Sequence, residues 1–255
     1  MILSVEGVSI SFGGVQALSG VSMEIEQGMV RGLIGPNGSG KTSLFNVISG
    51  FYTPSSGSVL FNEKNITPDS PSSRARKGMS RTFQGTILFE ERTVFENILI
   101  ATYARQKWSW ANCFLPRNVI VRHETRNVEK AYEVLELIKL EKYRDEKVKN
   151  VPFGIRHFLE IGRCLAMEPS LLLLDEPTTG LNPAEQSEII ELIGKLKARG
   201  MSVLIVEHNM KVVMNACDRI TVIDMGKFLA EGTVQEIRND PNVIKSYLGK
   251  RGHAC

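Results

Sequence analysis

Gly35-Pro36-Asn37-Gly38-Ser39-Gly40-Lys41-Thr42 fits the spacing G-x-x-x-x-G-K-[ST] and stands between an apolar run and an amphipathic one. Upstream, Met29 to Ile34 is nearly continuously apolar, as expected of a strand covered on both faces. Downstream, Gly40 to Ile48 reads as a helix with Leu44, Val47 and Ile48 on one side. Strand, glycine-rich turn and helix N-terminus together make an anion cradle. The glycines let backbone N–H groups turn inward, and the helix end adds its partial positive charge. Lys41 supplies a point charge to the β/γ oxygens of a nucleoside triphosphate, and Thr42 offers a hydroxyl to Mg2+. Gly35, Pro36, Asn37, Gly38, Ser39, Gly40, Lys41, Thr42 and Ser43 are therefore expected to bind a nucleoside triphosphate.

A second stretch complements the first. Leu171-Leu172-Leu173-Leu174-Asp175-Glu176 is an apolar strand ending in two carboxylates. Asp175 is suited to hold Mg2+ through water and Glu176 to polarise an attacking water.

Working outward, Leu3, Val5, Val8 and Ile10 are interleaved with polar residues, and Val21 to Ile25 alternates with period two, so both read as strands. Ser58 to Phe61 follows the turn Pro54-Ser55-Ser56-Gly57 as another strand. The middle is helical. Thr93-Val94-Phe95-Glu96 is a capping box opening a helix over Ile98 to Gln106. Ala131, Val134, Leu135, Ile138 and Leu140 mark a second amphipathic helix. Beyond residue 155, helices (Phe158 to Met167, Ala184 to Ala198) alternate with strands (Leu171 to Leu174, Val203 to Val206, Ile220 to Ile223). That alternation predicts a mainly parallel α/β sheet.

The 255 residues, 42% of them apolar, suit one domain with an inserted subdomain. The longest apolar runs are far short of the roughly 18 residues a membrane helix needs. No basic residue precedes Arg31, so no secretory signal is expected. Cys113, Cys164, Cys217 and Cys255 are too far apart to suggest zinc or a redox dithiol. A soluble, reduced, cytosolic chain is the economical expectation. The net charge is only +3, but Arg105 to Lys149 carries 11 basic and 7 acidic residues. Arg74, Arg76, Lys77 and Arg81 form a second basic cluster with no acid among them. Such clusters read either as a solvated helical face or as proximity to an anionic surface, lipid or nucleic acid.

With Gln84 in Arg81-Thr82-Phe83-Gln84, His208 in Val206-Glu207-His208-Asn209, and the segment before Leu159-Glu160-Ile161, the motifs fall in one order along the chain. In that order they resemble the ATP-binding cassette of ABC transporters over essentially its whole length. The resemblance implies a P-loop NTPase (RecA-like) α/β core with an N-terminal antiparallel β subdomain and an inserted α-helical subdomain. Residues 1–90 and 160–255 would form the core, and 91–159 the insert. It implies that Phe12 stacks on adenine, although a core Phe at a strand end is the other reading. Gln84 would touch Mg2+ or the lytic water, so that Thr42, Gln84 and Asp175 serve the metal. Glu176 would be the general base, and His208 its helper near the γ-phosphate. Asn182 matches a partner-facing position, and it is equally a good helix cap before Pro183.

Val151-Pro152-Phe153-Gly154-Ile155 stands where the family usually has Leu-Ser-Gly-Gly-Gln facing the partner subunit's nucleotide. Pro152 has neither hydroxyl nor N–H, and Phe153 adds bulk where glycine allows close approach. Gly154 and a helix starting near Ile155 remain able to donate. A weakened half-site and a distinct ATPase partner are the expectation.

The Pro-aromatic-Gly form of this segment is similar to that of the LivG-type ATPases of branched-chain amino acid importers. So are Gly78 to Gln84, Thr93 to Leu99, the long insert through Pro116, Glu207-His208-Asn209-Met210 and Ser246-Tyr247-Leu248-Gly249. Ile155 departs from that pattern, where Gln is common. The resemblance implies an ATP-hydrolysing subunit, peripheral on the cytoplasmic face of the cell (inner) membrane. Its partners would be a second ABC ATPase, identical or distinct, transmembrane permease subunits and, indirectly, an extracytoplasmic substrate-binding protein. Nucleic acid would not be a partner. Competing readings are an ATPase serving urea, lipid or lipopolysaccharide transport, a DNA-repair or translation ATPase, and a nucleotide-gated protein that does not hydrolyse. Trp108, Trp110, Phe114 and Leu115 would contribute to docking or a dimer surface, or simply pack the helical insert.

Overall fold

Period-two alternation in the first 25 residues gives two long antiparallel strands, β1 (Leu3–Phe12) and β2 (Val15–Ile25). With β4 (Ser56–Phe61) and β5 (Lys64–Asn65) they form a four-stranded antiparallel sheet in the order β2-β1-β4-β5. The computed structural model describes residues 1–82, 88–104 and 117–248.

The second sheet is built from strands buried along their whole length. β3 (Val30–Ile34), β7 (Leu171–Asp175) and β8 (Ser202–Val206) expose no residue, as the continuous apolar runs require. With β6 (Met79–Arg81), β9 (Arg219–Asp224) and β10 (Lys227–Thr233) the order is β10-β9-β3-β8-β7-β6. All neighbours are parallel except the edge pair β9–β10. One core joins both sheets to α1 (Lys41–Ser49), with Leu3, Leu18, Leu33, Phe45, Ile48 and Leu173 inside it.

The chain divides into two compact units, Met1–Arg81 with Ser170–Cys255, and Thr82–Pro169. The second holds α3 (Val94–Tyr103), α4 (Arg117–Leu137) and α5 (Phe153–Ala166). Its limits, 82–169, enclose the expected 91–159, and α5 packs on both α3 and α4. Gly162 lies so close to Ile138 that an added Cβ would stand 2.6 Å from Ile138 Cδ1. The capping box at Thr93 and Glu96 forms, but it opens the helix at Val94, and the helix stops at Tyr103 rather than Gln106. Among the described residues no helix is long and apolar enough to cross a membrane.

Several elements were absent from the sequence reading, among them β6, β10 and α2 (Pro71–Lys77). α2 corrects the reading of the basic cluster at Arg74, while Arg76 and Lys77 are exposed as a solvated face would have them. Arg74 is neither solvated nor facing an anionic surface: it is 1% exposed. Its guanidinium donates to the carbonyls of Val47 (2.7 Å) and Ile48 (2.6 Å) at the C-terminal turn of α1. It also donates to Thr67 (3.1 Å) and Asp69 (3.2 Å).

Candidate nucleotide-binding site

Three adjacent strands, β3, β8 and β7, deliver the phosphate loop, His208 and the Asp175-Glu176 pair from their C-terminal ends. At about 4.8 Å between neighbouring strands, the three loops begin within roughly 10 Å of one another. Ligands of open parallel sheets bind at this edge.

Residues 35–42 turn tightly between β3 and α1. Gly40 sits at the N-cap of α1 with φ 102°, where a Cβ would stand 2.7 Å from the Ala17 carbonyl oxygen. A Cβ on Gly35 would come within 2.1 Å of the Ile223 carbonyl oxygen. Only glycine fits either position. The turn is closed by Ser39 N–H donating to Pro36 O (3.1 Å) and pinned by Gly226 N–H donating to Ser39 O (2.9 Å). The buried Lys41 ammonium donates to the carbonyls of Gly35 (2.8 Å) and Pro36 (3.1 Å), so the cation lies along the loop. Asn37, Gly38 and Thr42 are exposed, Ser43 is half-buried, and Pro36 and Ser39 are buried.

Asp175 ends β7 with its side chain only 4% exposed. Burial pushes its carboxyl pKa up, and the Arg81 guanidinium, whose Nη2 lies 3.0 Å from Oδ2, pulls it back. Arg81 Nη1 also donates to Asn46 Oδ1 and Ser49 Oγ, both at 2.6 Å, and the guanidinium lies 4.6 Å from the ring centre of Phe45. This second member of the basic cluster is thus an internal counter-ion rather than a surface charge.

Glu176 adopts φ 49°, a left-handed conformation that costs a residue with a side chain about 1–2 kcal/mol. Its N–H donates to Val206 O (2.9 Å), which ties it to the end of β8. Glu176 Oε1 lies 2.7 Å from Nε2 of the half-exposed His208. The strained backbone thus turns the carboxylate toward the imidazole. Sequence reading missed the neighbour, Glu207, a buried carboxylate that accepts four hydrogen bonds from two loops. A charge directly after a buried strand and before His208 was the available signal.

Phe12 is 45% exposed, which removes the core reading, and its ring meets that of Tyr52 edge-on at 5.1 Å. Tyr52 was not singled out from the sequence. Asn182 caps α6 (Pro183–Ala198), its Oδ1 accepting from Ala184 N–H (2.9 Å) and Glu185 N–H (3.0 Å).

In the helical unit, Val151 and Gly154 are buried, Ile155 is half-buried, and Phe153 is 57% exposed, edge-on to His157. α5 starts at Phe153, not near Ile155, and Pro152 occupies its N-cap without a side-chain hydrogen bond. Ile155 N–H already bonds Pro152 O (3.1 Å), which leaves the N–H groups of Phe153 and Gly154 at the helix tip. Gln84 and the Trp108, Trp110, Phe114 and Leu115 cluster lie outside the described residues. Among the described residues no group of three His, Cys, Asp or Glu side chains could hold a metal ion. The Thr42 hydroxyl and the Asp175 carboxylate are hard oxygen donors of the kind Mg2+ takes, one or two at a time beside phosphates. Cys164 and Cys217 are buried, and burial pushes each thiol up to about 12.

The family model described as ABC transporter matches residues 18–179. The chain belongs to the ABC transporter family. A second model, branched-chain amino acid ATP-binding cassette transporter, matches residues 229–253. The high-affinity branched-chain amino acid transport ATP-binding protein LivG of Salmonella typhimurium is 40% identical to this cassette over 250 residues, 98% of each chain. BraF of Pseudomonas aeruginosa, named for the same transport, is 39% identical over 98% of each. The crystal structure of the ADP conformation of an ABC transporter cassette matches with TM-score 0.85 and 36% identity, covering 97% of this chain and 98% of that one. A nucleotide-free cassette matches with TM-score 0.83 at 36% identity, covering 96% and 98%. The P-loop NTPase fold expected from the sequence is the fold of these cassettes, and the chain is an ABC ATPase.

Proposed function

We propose that this cassette is the ATP-hydrolysing subunit of a branched-chain amino acid importer, peripheral on the cytoplasmic face of the membrane. The contact of Glu176 with His208 beside the phosphate loop carries the catalytic part of this reading. Backbone N–H groups of Asn37, Gly38, Gly40 and Thr42, the Lys41 ammonium and the N-terminus of α1 bind the triphosphate, with adenine against Phe12 and Tyr52. Thr42, Asp175 and Gln84 would hold Mg2+, which would neutralise charge on the β and γ oxygens. Glu176 takes the proton of the attacking water, and His208 holds the carboxylate in line. Water oxygen adds to the γ-phosphorus as the bond to the β–γ bridging oxygen breaks, giving ADP and phosphate.

Segments 151–155 and Asn182 would face a second ATPase across a composite site. Pro152 and Phe153 favour a distinct partner with an intact segment. Permease subunits would supply the membrane path, and an extracytoplasmic binding protein would deliver the amino acid. Glu176→Gln is expected to slow phosphate release about 100-fold or more while nucleotide still binds. Unchanged release would remove the catalytic assignment. Purification from native membranes should yield permeases that take up branched-chain amino acids with ATP. Recovery of nucleic acid or ribosomes instead, or of permeases specific for urea or lipid, would overturn the substrate reading.

A further inference from the structure

Glu207 is a charged side chain that the hydrolytic reading leaves without a task, yet it is 3% exposed at the C-terminal end of β8, a strand buried along its whole length. Its Oε1 accepts from Thr178 N–H (3.0 Å) and from Thr178 Oγ1 (2.5 Å). Oε2 accepts from the N–H groups of His208 (3.1 Å) and Asn209 (3.2 Å). Thr178 lies three residues beyond β7, and Glu207 is the first residue beyond β8, so one carboxylate clamps the two loops that carry Glu176 and His208. A second link runs parallel to it. Asn209 Nδ2 donates to Gln186 Oε1 (3.0 Å), and Gln186 Nε2 donates to Leu181 O (3.0 Å) in the loop ending at Asn182.

We propose that Glu207 is a positioning residue for ATP hydrolysis, its buried carboxylate fixing the backbone that presents His208 to Glu176. The proposal rests on the roles given above to Glu176 and His208. Three physical points favour it. Burying a charge is costly, and four donors, three of them backbone N–H groups, offset that cost only in this geometry. Each carboxylate oxygen faces donors alone, so glutamine, though the same shape, would turn an NH2 group toward N–H donors on one side. And the donors belong to His208 itself and to the loop two residues after Glu176, so a slip at Glu207 is transmitted as a change in the 2.7 Å imidazole–carboxylate contact.

The test is single-turnover ATP hydrolysis by the assembled ATPase pair carrying the full chain, alongside equilibrium binding of a fluorescent ATP analogue. Glu207→Gln is expected to slow hydrolysis about 10- to 100-fold, as a misplacement near 1 Å does, while nucleotide affinity stays unchanged. In a His208→Ala background the same substitution should cost nothing further, since both act on one event. An additive loss in that background overturns the proposal, as does wild-type hydrolysis by a folded Glu207→Gln chain. Should that chain fail to fold, Thr178→Val and Thr178→Ser give the answer. Loss of the hydroxyl should slow hydrolysis and its retention restore it, and equal rates for the two overturn the proposal. His208→Ala alone reports on the underlying assignment: unimpaired hydrolysis there removes the role of His208, whereas impaired hydrolysis with additivity removes only that of Glu207.

Discussion

Replacing Arg74 by Met keeps the unbranched apolar stem and deletes the guanidinium with its donors. Four carbonyl oxygens lose a donor, those of Val47, Ile48, Thr67 and Asp69. Val47 O keeps a partner, because Gly50 N–H also donates to it at 3.2 Å. Three acceptors are then left short, that of Ile48 buried and those of Thr67 and Asp69 part-buried, at about 1 kcal/mol each. Against this stands the relief of burying a cation, whose pKa is lowered by that burial and only partly restored by Asp69. The net loss should be about 2 kcal/mol, the gross loss of about 3 kcal/mol less that relief. Arg74→Lys keeps the charge but offers three donors from one point instead of a planar fork, and it should lie between Met and wild type. Urea unfolding of the full chain followed by far-UV circular dichroism measures both, with the slope unchanged if only the native state is affected. A loss below about 1 kcal/mol for Arg74→Met, or equal losses for Met and Lys, would refute the reasoning that the fork of hydrogen bonds holds the end of α1.

Gly40→Ala should lower affinity for a fluorescent ATP analogue about 5- to 150-fold, because φ 102° and a Cβ 2.7 Å from Ala17 O add about 1–3 kcal/mol of strain at the phosphate loop; unchanged affinity would show that the loop can relax. Cys164 and Cys217, with thiols pushed to about 12, should carry only about one part in 10⁴ thiolate at pH 8. Mass spectrometry after iodoacetamide treatment should find both unlabelled in the folded chain and labelled in urea, and rapid labelling of either in the folded chain would contradict the burial. Pro152→Ser places a hydroxyl at an N-cap whose φ of −55° and ψ of 153° suit it, so the helical unit should gain about 0.5–1 kcal/mol. Turnover of the assembled ATPase pair should rise with it, and an unaltered rate would mean that this segment does not limit hydrolysis.

Features set by neighbours within four or five residues were legible in the sequence. The phosphate loop, the capping box at Thr93 and Glu96, and the Asn182 cap before Pro183 all formed where the spacing put them. What escaped depends on partners far along the chain: Arg74 reaches back 27 residues to Val47, Arg81 reaches 94 forward to Asp175, and Glu207 reaches 29 back to Thr178. A charge count cannot separate such residues from solvated ones, because each sits in a stretch that is polar on either reading. β10 escaped for a related reason: only Ala230 and Gly232 of its seven residues are buried, so it lacks both the apolar run and the clean alternation.

The buried charges nevertheless share a logic. Arg74 meets carbonyls left over at the end of α1, where a helix leaves acceptors without partners and its dipole is negative. Glu207 meets N–H groups left over where two loops leave their strands. In both cases the sign of the side chain matches the sign of the unspent backbone group at a joint between elements. Read that way, a lone carboxylate directly after a fully apolar strand, as in Leu204-Ile205-Val206-Glu207, is a candidate loop clamp rather than a surface charge. Where the next residue is His208, the clamp and the chemistry occupy one turn of backbone, so substitutions that spare every group touching ATP should still reach the rate of hydrolysis.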